Sequence, residues 1–371
     1  MNKKNKIGVI TLHNSYNYGA VLQAYATCEY IKSIGYKDVE LINYENKYEK
    51  KSKEPLKFIF SGTIKSQIKK FIQYVIFGKN RHLKKGFKRF NNSMKKSNYV
   101  EDVHQIENQK YDILISGSDQ IWNPVIFDGI DPIFFLNFSN KSRKISISSS
   151  AGSYIFSQNE MKDVSGYLNK YDAISVREES LKKQLEKNID KEIFVSTDPT
   201  LLLSKLEWEN RLKSNNRYNE NESEYILLYL VDANLKVYEK EIISLKQRIK
   251  LPIWIITPYK FKFKNIDKNI VSASPEDFIS LVSNATYIIT NSFHGVIFST
   301  NFSKPFVALE NHKNPKRTFD YLKSISLENR IVKNESEARK ISIMFEYQFS
   351  KQKLNGLVDN TKKWIIKNID K

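Results

Sequence analysis

The stretch YIITNSFHGVIFSTNFSKPFVAL, Tyr287 to Leu309, holds an apolar run that stops at Thr290 and a polar break at Asn291 and Ser292. The pair His294-Gly295 follows, then an apolar stretch of helical length and a second apolar run from Phe306. A short buried run, a polar break, a longer periodic stretch and another short run spell strand, loop, helix, strand, the βαβ unit of a parallel sheet. In such a unit the strand delivers the chain to the carboxyl edge of the sheet. The next helix opens there with unpaired N–H groups and a partial positive charge. Anions bind at that point, and ligands of open α/β sheets collect along that edge. His294 therefore stands where an imidazole exchanges a proton with a phosphorylated or carboxylated substrate. The competing reading of the same residues is a histidine that only caps or packs at the helix start.

Outward from this segment the same alternation recurs. Toward the amino terminus, Ile7 to Leu12 reads as a strand, Ala20 to Ile34 as a helix and Val39 to Ile42 as a strand. Further strands are expected at Ile113 to Ser116, Lys144 to Ser149, Ala173 to Val176 and Ile193 to Ser196. A lysine-rich, aromatic-spotted stretch, 48–99, interrupts them with helical periodicity around Ile64 to Phe77 and Leu83 to Phe90, and reads as a helical insertion. The polar segment Lys213 to Glu224 then precedes a fresh series. Its strands are expected at Tyr225 to Leu230, Ile253 to Ile256, Tyr287 to Thr290 and Phe306 to Leu309, separated by helices. The pattern predicts an α/β protein with a first domain over 1–212, a second over 213–344, and a last helix over 345–371 crossing back to the first.

At 371 residues the chain is long enough for two domains of ordinary size. Its formal charge of +19 comes from lysines scattered among asparagine, isoleucine and tyrosine rather than gathered in one basic tail. No nucleic-acid motif accompanies the charge, so no nucleic-acid partner is expected. A phosphate-rich substrate, or one carried on an anionic lipid, suits the same field. Cys28 is the only cysteine, which rules out an intrachain disulfide and a zinc site built from several thiolates. The start MNKKNKIGVITLHNS is too short in apolar residues for a signal or a membrane span. The expectation is a cytoplasmic protein with peripheral contact to the inner face of an anionic membrane.

Three other loops carry chemistry. His13 to Ala20 follows the first strand; Asn17 offers an amide and Gly19 lets a backbone approach closely, yet the spacing is not that of a dinucleotide fingerprint. Gly117 and Ser118 end the third strand with donors for an anion or a sugar, Asp119 is a proton acceptor for a hydroxyl, and Trp122 offers a flat apolar face. Against these stand an ordinary cap at Asn17, a turn cap at Asp119 and a core role for Trp122. Arg177 ends another strand, where a guanidinium holds a carboxylate or phosphate through two N–H bonds, or pairs with Glu178 or Glu179. Asp198 reads as a turn residue, and His82, His104 and His312 as solvated polar positions. Arg317 opens a helix after the strand ending at Leu309.

Together Asn17-Tyr18-Gly19-Ala20, Gly117 to Trp122, Ser175 to Glu179, Asp198 to Leu201 and Thr290 to Gly295 resemble, in kind and order, the motifs of the polysaccharide pyruvyl transferase family. The resemblance implies two facing Rossmann-like domains, similar to the GT-B glycosyltransferases, with mostly parallel sheets, helices on both faces and catalysis in a cleft. It implies that phosphoenolpyruvate gives its three-carbon unit as a ketal to two hydroxyls of a sugar, releasing phosphate. The acceptor is then a lipid-linked or nucleotide-linked precursor of a surface glycan, capsule or exopolysaccharide. No metal and no redox cofactor are expected, phosphoenolpyruvate being a co-substrate. By motif, His294 is the general acid and Arg177 the clamp on the anionic donor, with Asp119 as a further catalytic candidate. One form of the family has an arginine two positions before the histidine, where this chain has Ser292. Lys304 or Arg317 would replace that cation, or the helix N–H groups at Ser292 to Gly295 hold the phosphate alone. The rival readings are a GT-B-like glycosyltransferase using a nucleotide sugar and a non-enzymatic protein held to anionic lipid.

Overall fold

Short runs of isoleucine, valine, leucine and tyrosine, most of them buried at every position, become strands covered on both faces. They build two six-stranded sheets in which every registered pair is parallel. The structure is a computed structural model and describes residues 3–46, 80–138, 141–212, 217–218, 224–231, 235–257, 264–312 and 315–371. The stretch 48–79 of the expected insertion therefore lies outside the described residues.

The first sheet contains β1 (Ile7–Ile10), β2 (Val39–Leu41), β3 (Ile113–Ser116), β4 (Arg143–Ser149), β5 (Ala173–Val176) and β6 (Ile193–Val195), in the order β2-β1-β3-β4-β5-β6. The chain winds outward from β1 to β2, then returns past β1 to β3, so the winding direction reverses between β1 and β3. The second sheet contains β7 (Ile226–Tyr229), β8 (Ile253–Ile256), β9 (Lys268–Ile270), β10 (Tyr287–Thr290), β11 (Phe306–Leu309) and β12 (Ile331–Val332), in the order β12-β11-β10-β7-β8-β9. Here the reversal falls between β7 and β10. In open parallel sheets that switch point is where a crevice forms outside the strands' carboxyl ends.

The helices, in chain order, begin with α1 (Tyr18–Ser33), α2 (Arg81–Ser93), α3 (Val103–Glu107), α4 (Pro124–Phe127), α5 (Gln158–Leu168) and α6 (Glu179–Leu185). They continue with α7 (Lys205–Leu212), α8 (Glu239–Ile249), α9 (Pro275–Asn284), α10 (Phe293–Asn301), α11 (Pro315–Ser324), α12 (Glu335–Lys340) and α13 (Gln348–Ile369). The expected strands through β8, together with β10 and β11, form within a residue or two of the positions read from the sequence. The strands β9 and β12 were not expected. Lys268-Asn269-Ile270 is mostly polar, and Ile331-Val332 is two residues long, so neither carries a strand pattern.

Contacts divide the chain into two units, the first holding the described residues of Met1–Tyr74, Asn91–Leu202 and Leu357–Lys371, the second those of Val75–Phe90 and Leu203–Gly356. Helix α7 belongs to the second unit, although the polar segment after it suggested a boundary at 213. Trp208 is fully buried edge-on to Phe298 at 5.5 Å, and Asn301 Nδ2 donates to the Leu203 carbonyl at 2.9 Å. Most of α2 also packs in the second unit, with Leu83, Phe87 and Phe90 buried and a Cβ at Gly86 placed 2.8 Å from Ser274 Cβ. The end of α13 packs in the first unit. There Trp364 stacks on Phe194 at 5.4 Å and Arg143 Nη2 donates to the Asn368 carbonyl at 2.8 Å. Among the described residues no helix is long and apolar enough to cross a membrane.

At the outer edge of the second sheet one N–H group of β12 and the one just after it are occupied. Ile331 N–H donates to the Glu328 carbonyl, and Lys333 N–H donates to Glu337 Oε2 at 2.8 Å.

Candidate active site

In the second unit, the loop after β10 is tied down on both sides. Thr290 Oγ1 donates to the Tyr229 carbonyl at the end of β7 (2.6 Å) and accepts from Ser292 N–H (3.0 Å). Asn291 Oδ1 accepts from Val231 N–H at 2.8 Å, and Asn311 Nδ2, beyond β11, donates to the Asn291 carbonyl at 3.2 Å. Ser292 is the N-cap of α10, its Oγ accepting from Gly295 N–H at 3.2 Å. Ser292 thus serves the helix start itself.

These bonds set His294 in the first turn of α10, beside the reversal between β7 and β10, with only 7% of its surface exposed. Its ring meets Phe293 edge to face at 5.5 Å. Arg317, on the first turn of α11, lies 3.9 Å over the other partner of that ring pair, Phe293, and Tyr321 packs on Phe293 at 5.9 Å. Of the two cations proposed to replace the missing arginine, Arg317 is the one that reaches the start of α10.

Lys304 does not. It follows the carboxyl end of α10, where its N–H donates to the Ser299 carbonyl at 2.8 Å, and it precedes β11. It therefore sits at the amino edge of the sheet, past the end of a helix that runs about 10 Å on from His294. Burial, with Lys205 beside it, pulls the Lys304 ammonium down to about 8, against the opposing pull of Glu209. The unfolded chain, with an ordinary lysine, binds the proton up to about pH 10.4. Between those limits the unfolded state holds more protons, so this group makes stability rise with pH. Lys304→Met is expected to raise the unfolding midpoint at pH 7 and to flatten its rise between pH 8 and 10, read by thermal melts across that range. An unaltered pH profile would contradict this account.

Gly295 is fixed by close approach. A Cβ there would lie 3.0 Å from Thr290 Cβ and closer still to its Oγ1. Thr290 is held by its bond to Tyr229 and cannot move aside without breaking the tie to β7. Gly295→Ala is expected to cost about 1 to 3 kcal/mol, the usual range for overpacking. Chemical denaturation measures it, and a midpoint equal to the parent's would show that α10 has slack.

In the first unit, the two loops singled out from the sequence flank the reversal between β1 and β3. Thr11 Oγ1 donates to the Ser118 carbonyl at 2.7 Å, and a Cβ at Gly117 would sit 2.9 Å from Thr11 Cβ, which explains the glycine. Asn17 caps α1, accepting from Gly19 N–H (2.9 Å) and Ala20 N–H (3.4 Å), so its carbonyl oxygen is engaged within the helix start; Gly19 is buried in the first turn. His13, not singled out from the sequence, is buried, with Nδ1 3.0 Å from the Thr11 carbonyl and Nε2 3.4 Å from Asn43 Oδ1.

Asp119 takes a left-handed backbone conformation, φ +70°, and its carbonyl accepts from Ser150 N–H at 3.1 Å. Ser148, at an irregularity of β4, is also left-handed at φ +56°, with its hydroxyl 2.8 Å from Ser196 Oγ. Non-glycine residues in this region are held there by their surroundings at a cost. Arg177 provides part of that hold. Nη1 donates to Asp198 Oδ2 at 2.9 Å and to Ser118 Oγ at 3.4 Å, Nε donates to Glu178 Oε1 at 3.1 Å, and Asp119 Oδ1 is 3.9 Å away. Burial works against the charge, yet Glu178, Asp198 and Asp119 together raise its pKa above the ordinary arginine value. With a side chain only 3% exposed and three carboxylates around it, Arg177 organises the ends of β3, β5 and β6 instead of presenting a fork to an anion. Asp198 and Glu178, read from the sequence as a turn residue and a surface partner, are the members of this cluster that sequence reasoning missed.

Trp122 also departs from its expected role. It is 1% exposed, stacks on Phe135 at 5.1 Å and donates from Nε1 to the Phe134 carbonyl at 3.2 Å. An indole sealed in the core offers no face to a sugar. His82 and His104 are exposed, and His312 stacks on Tyr238 at 5.8 Å.

A family model, polysaccharide pyruvyl transferase, matches residues 17–313, a span that holds the Gly117 to Trp122 segment, Arg177, Asp198 and the His294-Gly295 pair. The chain belongs to the polysaccharide pyruvyl transferase family. Membership makes this pyruvyl transferase homologue a transferase by class. No curated protein matches it in sequence. In fold it is similar to the UDP-GlcNAc 2-epimerase of Neisseria meningitidis bound to UDP-GlcNAc, with TM-score 0.55 and 10% identity over 98% of this chain and 98% of that one. The putative UDP-N-acetylglucosamine 2-epimerase of Listeria monocytogenes aligns with TM-score 0.54 and 9% identity over 99% and 97%. The S. aureus MnaA-UDP structure gives 0.55 and 11% over 98% and 96%. At such identities the likeness is one of fold, a GT-B-type pair of Rossmann-like units.

Proposed function

We propose that this family member transfers the three-carbon unit of phosphoenolpyruvate to two hydroxyls of a sugar in a surface-glycan precursor, forming a ketal. The observation that carries the reading is the place of His294, in the first turn of a helix that opens at the topological switch point of its sheet. In the reaction the methylene of the enol gains a proton and becomes a methyl group. Two sugar oxygens bond to the neighbouring carbon and the bond from that carbon to the phosphate oxygen breaks; the first hydroxyl proton restores the imidazole and the second leaves with the phosphate. His294 supplies the proton to the methylene as general acid. The N–H groups at the start of α10 and the Arg317 guanidinium hold the phosphate and carboxylate charges, a role that demands cations and dipoles fixed before the reaction.

On the first unit, Asp119, 7% exposed, stands at the other switch point, while Ser118 is wholly buried with its carbonyl and hydroxyl both engaged. Arg177 is a positioning residue there, keeping Asp119 in its left-handed conformation. The protein is incubated with phosphoenolpyruvate and a panel of glycan precursors, lipid-linked and nucleotide-linked, and free phosphate and acceptor mass are followed. Acceptor-dependent phosphate release, with the acceptor gaining a pyruvyl ketal, is the expected result. Nucleotide release from a nucleotide sugar, with no consumption of phosphoenolpyruvate, would assign the chain to sugar transfer.

A further inference from the structure

We infer that the outward face of α2 is a docking surface for an anionic lipid leaflet. Its sequence, RHLKKGFKRFNNS, contains Arg81, Lys84, Lys85, Lys88 and Arg89 and no acidic residue. The packing fixes which way these charges point. Leu83, Phe87 and Phe90 are buried at 5%, 3% and 1% exposure, and Gly86 brings the helix backbone against Ser274, too close for a Cβ. Arg81, His82, Lys85, Lys88 and Arg89 are consequently exposed, and Arg89 also reaches Glu276 at 3.3 Å. Arg81, Lys85 and Lys88 follow one another at helical spacing and form a single stripe about 10 Å long.

This arrangement costs the helix stability. Arg81 with Lys85, Lys84 with Lys88, and Lys85 with Arg89 are like-charge pairs four residues apart, each of which destabilises a helix. A face that merely needed solvation would be served equally by mixed charges. A straight cationic stripe on a helix whose apolar side is already spent inside the protein matches a partner that is flat, negatively charged and bound from outside without insertion. A leaflet of acidic phospholipid has that chemistry, and each lysine or arginine brought to such a surface strengthens binding about fivefold. Single-stranded nucleic acid is the poorer match, because it is gripped by stacking as well as charge and the aromatic rings of α2 are buried. The inference is independent of the reaction assigned above.

Co-sedimentation with vesicles tests it. The whole chain is expected to bind vesicles with roughly one third phosphatidylglycerol in phosphatidylcholine, to ignore pure phosphatidylcholine, and to be released by salt near 0.5 M. The double variant Lys85→Gln/Lys88→Gln should lose about 25-fold in partition coefficient at low salt. It should melt no lower than the parent, since like-charge pairs are relieved, which separates lost docking from lost folding. A control that removes two exposed lysines elsewhere, Lys162→Gln/Lys187→Gln, should bind as the parent does. An equal loss in the control would reduce the effect to net charge. Unchanged binding in Lys85→Gln/Lys88→Gln would remove α2 from the interface. Tight oligonucleotide binding, lost in the same variant while vesicles are ignored, would assign the stripe to nucleic acid.

Discussion

His294→Ala is expected to lower turnover by about two to four orders of magnitude, the usual worth of a positioned general acid, while the protein remains folded. The methylene of an enol phosphate is a weak base, and in water it waits for a proton from solvent. In the reaction proposed above, an imidazole held at the start of α10 would replace that wait with a donor already in place. The expectation of an intact fold rests on the anchors of the loop, which do not pass through the ring. Thr290, Asn291 and Ser292 make the hydrogen bonds that fix it, and Gly295 sets the approach of helix to strand. Steady-state rates of phosphate release from phosphoenolpyruvate, alongside a thermal melt, measure both parts. A variant that turns over like the parent would take the imidazole out of the chemistry. A variant that fails to fold would make it a packing residue.

The second large effect is expected at Arg177. Removing its guanidinium leaves Asp198, with a side chain wholly buried, and Glu178, 5% exposed, without their shared positive charge. Breaking a buried ion pair from one side costs about 3 to 5 kcal/mol, because the remaining charge is stranded in a poorly polarisable interior. Arg177→Ala should therefore shift the denaturant midpoint strongly at unchanged slope. Arg177→Lys should fall in between, since an ammonium supplies charge from a single nitrogen and cannot span Asp198 and Glu178, which the guanidinium reaches from Nη1 and Nε. Activity would decline with stability in both. If Arg177→Lys kept the parent's stability and raised only the Michaelis constant for phosphoenolpyruvate, the residue would be returned to the role of donor clamp.

Much of the architecture was legible because parallel strands buried on both faces leave continuous apolar runs, and because most of these runs end at or just before a small or polar residue. Tyr287 to Thr290, followed by Asn291 and Ser292, is such a case. The short edge strands β9 and β12 left no such mark. Which side chains the loops turn outward was harder to read. Trp122 and Arg177 both follow strands, as a binding residue would, yet one is folded into aromatic core and the other encircled by carboxylates. The deciding partners, Phe135 and Asp198, lie 13 and 21 residues away along the chain, beyond the reach of a local pattern. Lys304 failed for a topological reason, since it comes after the helix and so returns to the opposite edge. Arg317 lies in the first turn of the next helix, on the carboxyl side, where its position in the sequence had put it.

The edge formed by β12 has a consequence for how the molecule behaves in crowded solution. A parallel sheet that ends on an open strand is an invitation for a neighbouring molecule to extend it, and such lateral growth is a common start of aggregation. Here Glu337 and the Glu328 carbonyl already hold the donors an incoming strand would need. On that flank two donors are already taken by the protein's own chain, which leaves a neighbouring strand less to pair with.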